Sequence, residues 1–171
     1  MLVVISGLPA TGKSAVARAL AERLHAVHLS VDPVEDAMLG AGLERGWATG
    51  VAAYEAVRVM AEENLSLGAV VVVDAVNDSE ESRETWRAAA RTTAVPVSFM
   101  LLTVSDAAEH RRRLDGRARG FRNVVEPTWD QVRAGAAAYA PWTGDYEDVD
   151  ATRPLGAVVD DVLARLRARR A

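Results

Sequence analysis

The chain has no cysteine, so neither a disulfide framework nor a thiolate metal site is open to it. Lysine is almost as scarce: of 20 basic residues, only Lys13 is a lysine and the rest are arginines. Long apolar runs are missing too. None approaches the roughly 20 residues that span a bilayer, and Leu2-Val3-Val4-Ile5 lacks the basic region and longer apolar stretch of a signal peptide. A cytoplasmic location with no membrane association is therefore expected. Positive charge is not in excess either. A formal net charge of -4 and a pI near 5.4 argue against broad binding to nucleic acid, although a local basic patch can still hold phosphates. With 50% hydrophobic and 26% charged residues in a chain of 171, one globular domain over 1–171 is expected.

What is present is an alternation of strand and helix signals. Leu2 to Ser6 is a β-branched run entering a glycine-rich segment, and Val16, Leu20 and Leu24 then share one helical face. Val27 to Val31 reads as a second strand ended by Asp32-Pro33. There a helix opens with Asp32 as N-cap, Pro33 at its first position and Glu35 closing a capping box. Gly40 to Gly50 reads as irregular. Tyr54, Val57, Ala61 and Leu65 read as a helix stopped by Gly68, and Ala69 to Val73 as a buried strand ending in Asp74. Asp78 to Glu81 resembles a capping box opening a helix to about Arg91, Val95 to Val104 is a strand, and further helices open at Asp106 and Thr128. Tyr146 to Val149 is a short last strand. The final helix carries an apolar stripe from Leu155 to Leu166 and ends in Arg165, Arg167, Arg169 and Arg170, which suits the negative end of its dipole.

This pattern predicts an α/β fold of three layers, with a central, mainly parallel sheet and helices on both faces. Ligands of such sheets bind at the carboxyl ends of the strands. Gly7, Asp32, Asp74 and the segment after Val104 all fall there.

Gly7-Leu8-Pro9-Ala10-Thr11-Gly12-Lys13-Ser14 matches the phosphate-loop pattern G-x-x-x-x-G-K-[ST], with a strand before it and an amphipathic helix after it. The glycines let successive N–H groups turn toward phosphate oxygens, and the helix adds its positive end. The only lysine stands where a compact charge on a flexible stem is wanted. ATP with Mg²⁺ is the expected ligand, Lys13 bridging the β- and γ-phosphates and Ser14 ligating the metal. Asp74 would hold the metal as well; its plainer reading is a polar strand terminus. Asp32, beyond its capping role, could take the proton of an acceptor hydroxyl.

His110 to Arg122 concentrates six arginines, with Gly116 and Gly120 as hinges. One reading is a solvated helix face. The other is a lid over approximately 108–127 that closes on the phosphates, Arg113 and Arg117 being the pair chosen for contact because they lie four apart on one helical face. His25, His28 and His110 show no metal-ligand spacing and read as surface or packing residues. Trp86 reads as core and Trp47, in the irregular segment, as an acceptor contact.

In these stretches, together with Leu29 to Asp32 followed by Asp36-Ala37-Met38, the chain resembles the small P-loop kinases grouped as AAA-type ATP-binding proteins. Within them it is similar to the chloramphenicol phosphotransferase-like group and, more distantly, to zeta toxins and polynucleotide kinases. The resemblance touches most of the first 120 residues. It implies a P-loop NTPase fold with an arginine-bearing lid, Asp32 as base, Arg113 and Arg117 on the lid, and an adenine-binding loop at Ala151-Thr152-Arg153-Pro154. The chain departs from the chloramphenicol enzymes between Leu39 and Ala53 and after Asp74, where acceptor contacts lie.

The expected function is a kinase that moves the γ-phosphate of ATP to a hydroxyl of a small molecule such as an antibiotic, sugar or nucleoside. Two alternatives stand beside it. One is an ATP-binding regulator with little transfer activity. The other is a polynucleotide 5′-hydroxyl kinase, against which the acidic balance counts.

Overall fold

A computed structural model describes residues 1–169, so Arg170 lies outside the described residues. In chain order the elements are β1 (Leu2–Ser6), α1 (Lys13–Leu24), β2 (Val27–Ser30), α2 (Val31–Gly40), α3 (Trp47–Ser66) and β3 (Val71–Asp74). These are followed by α4 (Glu80–Thr92), β4 (Val97–Thr103), α5 (Ala107–Asp115), α6 (Trp129–Ala138), β5 (Glu147–Asp150) and α7 (Leu155–Ala168). The five strands form one sheet in the order β2-β3-β1-β4-β5, and every pair is parallel.

The inner strands β1 and β3 are apolar and buried along their length because both faces of the sheet are covered there, whereas edge strand β5 buries only Val149 among acidic residues. Along β1 the side chains alternate. Val3 and Ile5 join Val72, Met100, Leu102 and Val149 against Val16, Leu20, Val158 and Val162 of α1 and α7. Leu2 and Val4 join Val71, Val73 and Phe99 against Ala53, Val57, Ala61 and Leu65 of α3 and Trp86 and Ala89 of α4. The result is the expected three-layer α/β architecture. Because β1 sits between β3 and β4, the order of connections reverses at its carboxyl end, and a crevice opens there. The glycine-rich loop leaves β1 at that point.

Local readings differ in three places. Val31 is the first residue of α2, not the last of β2, and the N-cap is Ser30, whose extended φ of -128° carries the strand directly into the helix. Asp32 is therefore not an N-cap, Pro33 is not the first helical residue, and no side chain caps this end. Inside the first turn, Asp32 is free to act through its side chain. Second, the segment read as irregular to Gly50 becomes helical at Trp47, so α3 extends well beyond the stripe that revealed it. Third, the capping box of α4 is closed between Ser79 and Ser82, with Asp78 outside it. Asp106 and Thr128 are the N-caps that the residue types predict; Thr128 exchanges bonds with Gln131, whereas Asp106 accepts from Ala108 and Glu109 without a closed box, the Glu109 carboxylate being taken by Arg112 and Arg113.

Candidate nucleotide and acceptor site

The loop from Gly7 to Ser14 is held from beneath. The Gly7 N–H donates to the Val76 carbonyl at 3.2 Å, and a Cβ on Gly7 would stand 2.4 Å from the Leu102 carbonyl oxygen. Its φ of +139° is also one that L side chains rarely adopt, so position 7 requires glycine twice over. Gly12, at φ +94°, caps α1. No side chain caps the first turn of α1 and no acidic residue lies in it, which leaves its N–H groups and positive end to an anion.

Lys13 is buried, and its ammonium donates to the Leu8 carbonyl at 2.9 Å. Burial lowers its pKa from 10.5 to about 8, against the opposing charges of Asp32 and Asp74; Arg117 and Arg119 lower it further. Ser14 donates to Asp74 Oδ1 at 2.7 Å, and the other carboxylate oxygen of Asp74 meets His28 Nε2 at 2.7 Å. Burial opposes ionisation of Asp74, yet the hydrogen bonds from His28 and Ser14 and the nearby charges hold its pKa below the ordinary value. Thus the pair expected to hold metal is assembled. Among the described residues no group of three or more His, Cys, Asp or Glu side chains is placed to bind a metal. A cation at Ser14 and Asp74 would have to complete its shell with phosphate oxygens and water, as Mg²⁺ characteristically does.

Three arginines stand around the loop mouth. Arg113, Arg117 and Arg119 line a cavity of about 270 Å³ with Ala10, Gly12, Lys13 and Ser14. Arg117 Nη1 is buried with no hydrogen bond: it lies 3.2 Å from Glu126 without the alignment of one. Burial and the charge of Arg119 depress its pKa. Mutually repelling cations and an orphaned buried donor fit a polyanion, the test that a nucleotide's phosphates meet here. Arg113 turns the other way. It donates to Glu109 at 2.7 Å and to the Ala151 carbonyl at 2.7 Å, and it forms one wall of a cavity of about 360 Å³ with Thr11, Gly12, Thr152, Arg153 and Pro154. Arg122 gives its backbone N–H to Asp36.

Arg119 was passed over in the choice of lid residues, because spacing along a helix cannot rank residues beyond its end. α5 stops at Asp115, and 116–128 has no regular structure. From that segment Arg119 pairs with Asp32 and donates to Glu126 at 2.6 Å, its guanidinium lying over the Phe121 ring. The segment is pinned to α2 by Asp36, which accepts the N–H groups of Asn123 and Val124 at 2.7 and 2.8 Å.

His28 is the other residue that the spacing argument missed. Its position four residues before Asp32 hid a parallel register in which His28 lies beside Val72 and Ser30 beside Asp74. His110 is buried and bonded to the Pro9 carbonyl of the loop at 2.7 Å, packed against Trp129. Trp86 is core, its indole N–H donating to Asn77 at 2.7 Å. Asn77 in turn donates to Ser6 at 2.8 Å, tying the exit of β3 to the end of β1.

A cavity of about 740 Å³ lies on the other side of the strand ends, lined by Trp47, Gly50, Val51, Tyr54, Glu55, Asp78, Ser79, Glu81, Ser82 and Thr85. It draws on the start of α3 and on the segment after Asp74.

A family model described as AAA domain matches residues 2–139. No curated protein matches the sequence. Among solved structures, a gluconokinase from Sinorhizobium meliloti 1021 superposes with a TM-score of 0.72 at 21% identity, covering 99% of this chain and 92% of that one. A sugar kinase from Janibacter sp. HTCC2649 gives 0.72 at 16% identity, with 97% and 94% covered. The Mycobacterium tuberculosis APS kinase in complex with AMPPNP and APS gives 0.69 at 18% identity, with 97% and 96% covered. At such identities the likeness is one of fold.

Proposed function

The chain belongs to the AAA domain family, and from that membership and its P-loop kinase fold we propose that it is an ATP-dependent phosphotransferase acting on a hydroxyl of a small molecule. The observation that carries this reading is the junction at the loop mouth. Lys13, Arg117 and Arg119 converge on one cavity, and Arg119 also reaches Asp32 in the first turn of α2.

In this reading the first-turn N–H groups of α1 and Lys13 hold the triphosphate, with the base of the nucleotide beside Thr152 and Arg153. Ser14 and Asp74 would hold Mg²⁺, which would supply neutralising charge. His28 keeps Asp74 ionised and oriented. Asp32 accepts the proton of the acceptor hydroxyl as its oxygen bonds to the γ-phosphorus; the bond from that phosphorus to the ADP oxygen breaks, and ADP leaves. Arg119 shifts from Asp32 to the charge gathering on the transferred group, which frees the base at the moment the phosphates arrive. A kinase of a sugar, antibiotic or nucleoside fits the fold neighbours, which include a gluconokinase and a sugar kinase.

The test is ADP release from Mg-ATP with and without pooled hydroxyl compounds. Stimulation by one pool is expected, and Asp32→Asn is expected to cut it by about 10²–10⁴-fold while ATP still binds. Binding of ATP without stimulation by any pool, and with Asp32→Asn indistinguishable from the unaltered protein, would turn the reading toward a nucleotide-binding regulator.

A further inference from the structure

Resting on that kinase reading, we propose that the acceptor is a cationic compound, a hydroxyl-bearing amine, held in the large cavity beside the strand ends. The cavity's charge is one-sided. Glu55, Asp78 and Glu81 line it and no lysine or arginine does. Glu55 is paired with Arg58 at 2.9 Å, but among the described residues neither Asp78 nor Glu81 has an ion-pair or hydrogen-bond partner for its carboxylate. The neighbouring cations are engaged elsewhere: Arg58 with Glu55 and Glu62, Arg87 with Glu80, and Arg83 with three backbone carbonyls.

Two helix starts, those of α3 and α4, face the cavity and would by themselves favour an anion. Their fields, about half a charge each, are smaller than the two unpaired carboxylates, and Asp78 and Glu81 already sit at the start of α4. An anionic acceptor would meet a filled anion site.

The remaining wall suits a polyhydroxylated ring with an apolar face. Trp47 is 85% exposed at the cavity rim, offering both its ring and a surface for a cation. The Tyr54 hydroxyl accepts the Asn77 N–H at 3.2 Å and donates to nothing among the described residues, so its proton is available to a ligand oxygen. Burial and the charges of Asp78 and Asp32 raise its pKa, which keeps it a donor, and Asn77 ties it to Ser6, the residue before the phosphate loop. An ammonium between Asp78 and Glu81, with a ring on Trp47, leaves a hydroxyl to face Asp32.

Glucosamine, glucose and glucuronate form a probe set of one ring size that differs in charge. Binding is read by tryptophan fluorescence in the presence of AMPPNP, using Trp47→Phe to assign the signal, and turnover by ADP release with ATP. Glucosamine is expected to bind about tenfold or more tightly than glucose, and glucuronate more weakly than either. Glu81→Gln and Asp78→Asn are expected to erase most of that preference, and added salt to reduce it. Gly50→Leu, whose new side chain starts in open space, should weaken all three without loss of thermal stability. Equal binding of the three, preference for glucuronate, or no binding of any overturns the inference. Larger stimulation of ADP release by glucose or glucuronate overturns it while the kinase reading stands. Selective binding of glucosamine without stimulated ADP release leaves the cationic site standing and removes the kinase reading.

Discussion

The phosphate loop and the arginine-bearing segment face each other across one cavity, yet they are built on opposite plans. The loop is backbone held by backbone: the Gly7 N–H on the Val76 carbonyl, the Thr11 N–H on the Leu8 carbonyl, and the whole set on a β1 strand with no exposed side chain. The segment 116–128 has no regular structure and is held by side-chain charge, through Arg119 to Asp32 and Glu126 and through Asp36 to the N–H groups of Asn123 and Val124. A receptor for phosphate must exist before the ligand arrives, because pre-oriented dipoles cost no reorganisation when charge develops. A lid must be able to let go, and partly exposed ion pairs exchange partners at little free-energy cost.

That contrast is broken most sharply at Lys13. Lys13→Met is expected to lower kcat/KM by about 10²–10³-fold. The same substitution separates activity from stability. The buried ammonium titrates at about 8 in the folded chain against 10.5 in the unfolded one, so between those pH values the unfolded state holds more protons. Stability of the unaltered protein therefore rises with pH through that window, relative to Lys13→Met, by up to about 3 kcal/mol. Thermal unfolding of both proteins between pH 7 and 10.5 checks the sign; a flat difference would mean that Lys13 is solvated.

Gly7→Ala probes the rigid side without touching charge. The methyl would stand 2.4 Å from a backbone carbonyl at a φ of +139°, and a loss of about 2 kcal/mol or more in unfolding free energy is expected. Urea titration measures it. His28→Asn acts between the two regions, on Asp74 alone. It should weaken the apparent affinity for Mg²⁺ in turnover by about tenfold, with a smaller change in KM for ATP at saturating metal.

The smallest effect belongs to the lid. Glu126→Gln removes the carboxylate that Arg117 and Arg119 share, and since those pairs are partly solvated it should cost less than about 1 kcal/mol globally. Its signature is local: faster proteolysis within 116–124 in the absence of ATP, with protection restored by ATP. Unchanged cleavage would show that Asp32 and Asp36 secure the segment without Glu126.

What could be read from the residues follows the range of the interactions involved. The loop motif, the apolar strands and the caps at Asp106 and Thr128 are short-range patterns, and the fold class follows from their alternation. The start of α3 at Trp47 escaped because Gly46 to Gly50 carries no apolar stripe: Trp47 is exposed there, and buried Thr49 bonds the Glu44 carbonyl at 2.6 Å. Asp32 was singled out with a capping role that it does not have, since capping is judged from three neighbours whereas its partner Arg119 lies 87 residues away. His28 and Arg119 were missed for the same reason.

The sequence by itself therefore determined where phosphate chemistry sits, because a phosphate loop is made by contiguous glycines, one lysine and one hydroxyl whose geometry the local backbone supplies. Only the tertiary structure decided which distant side chains complete it. Sheet register puts His28 on Asp74, the end of α5 frees Arg119 to reach Asp32, and α3 and α4 together enclose an acidic cavity. Pairings of that kind depend on how helices pack on a sheet, and no window along the chain contains both partners.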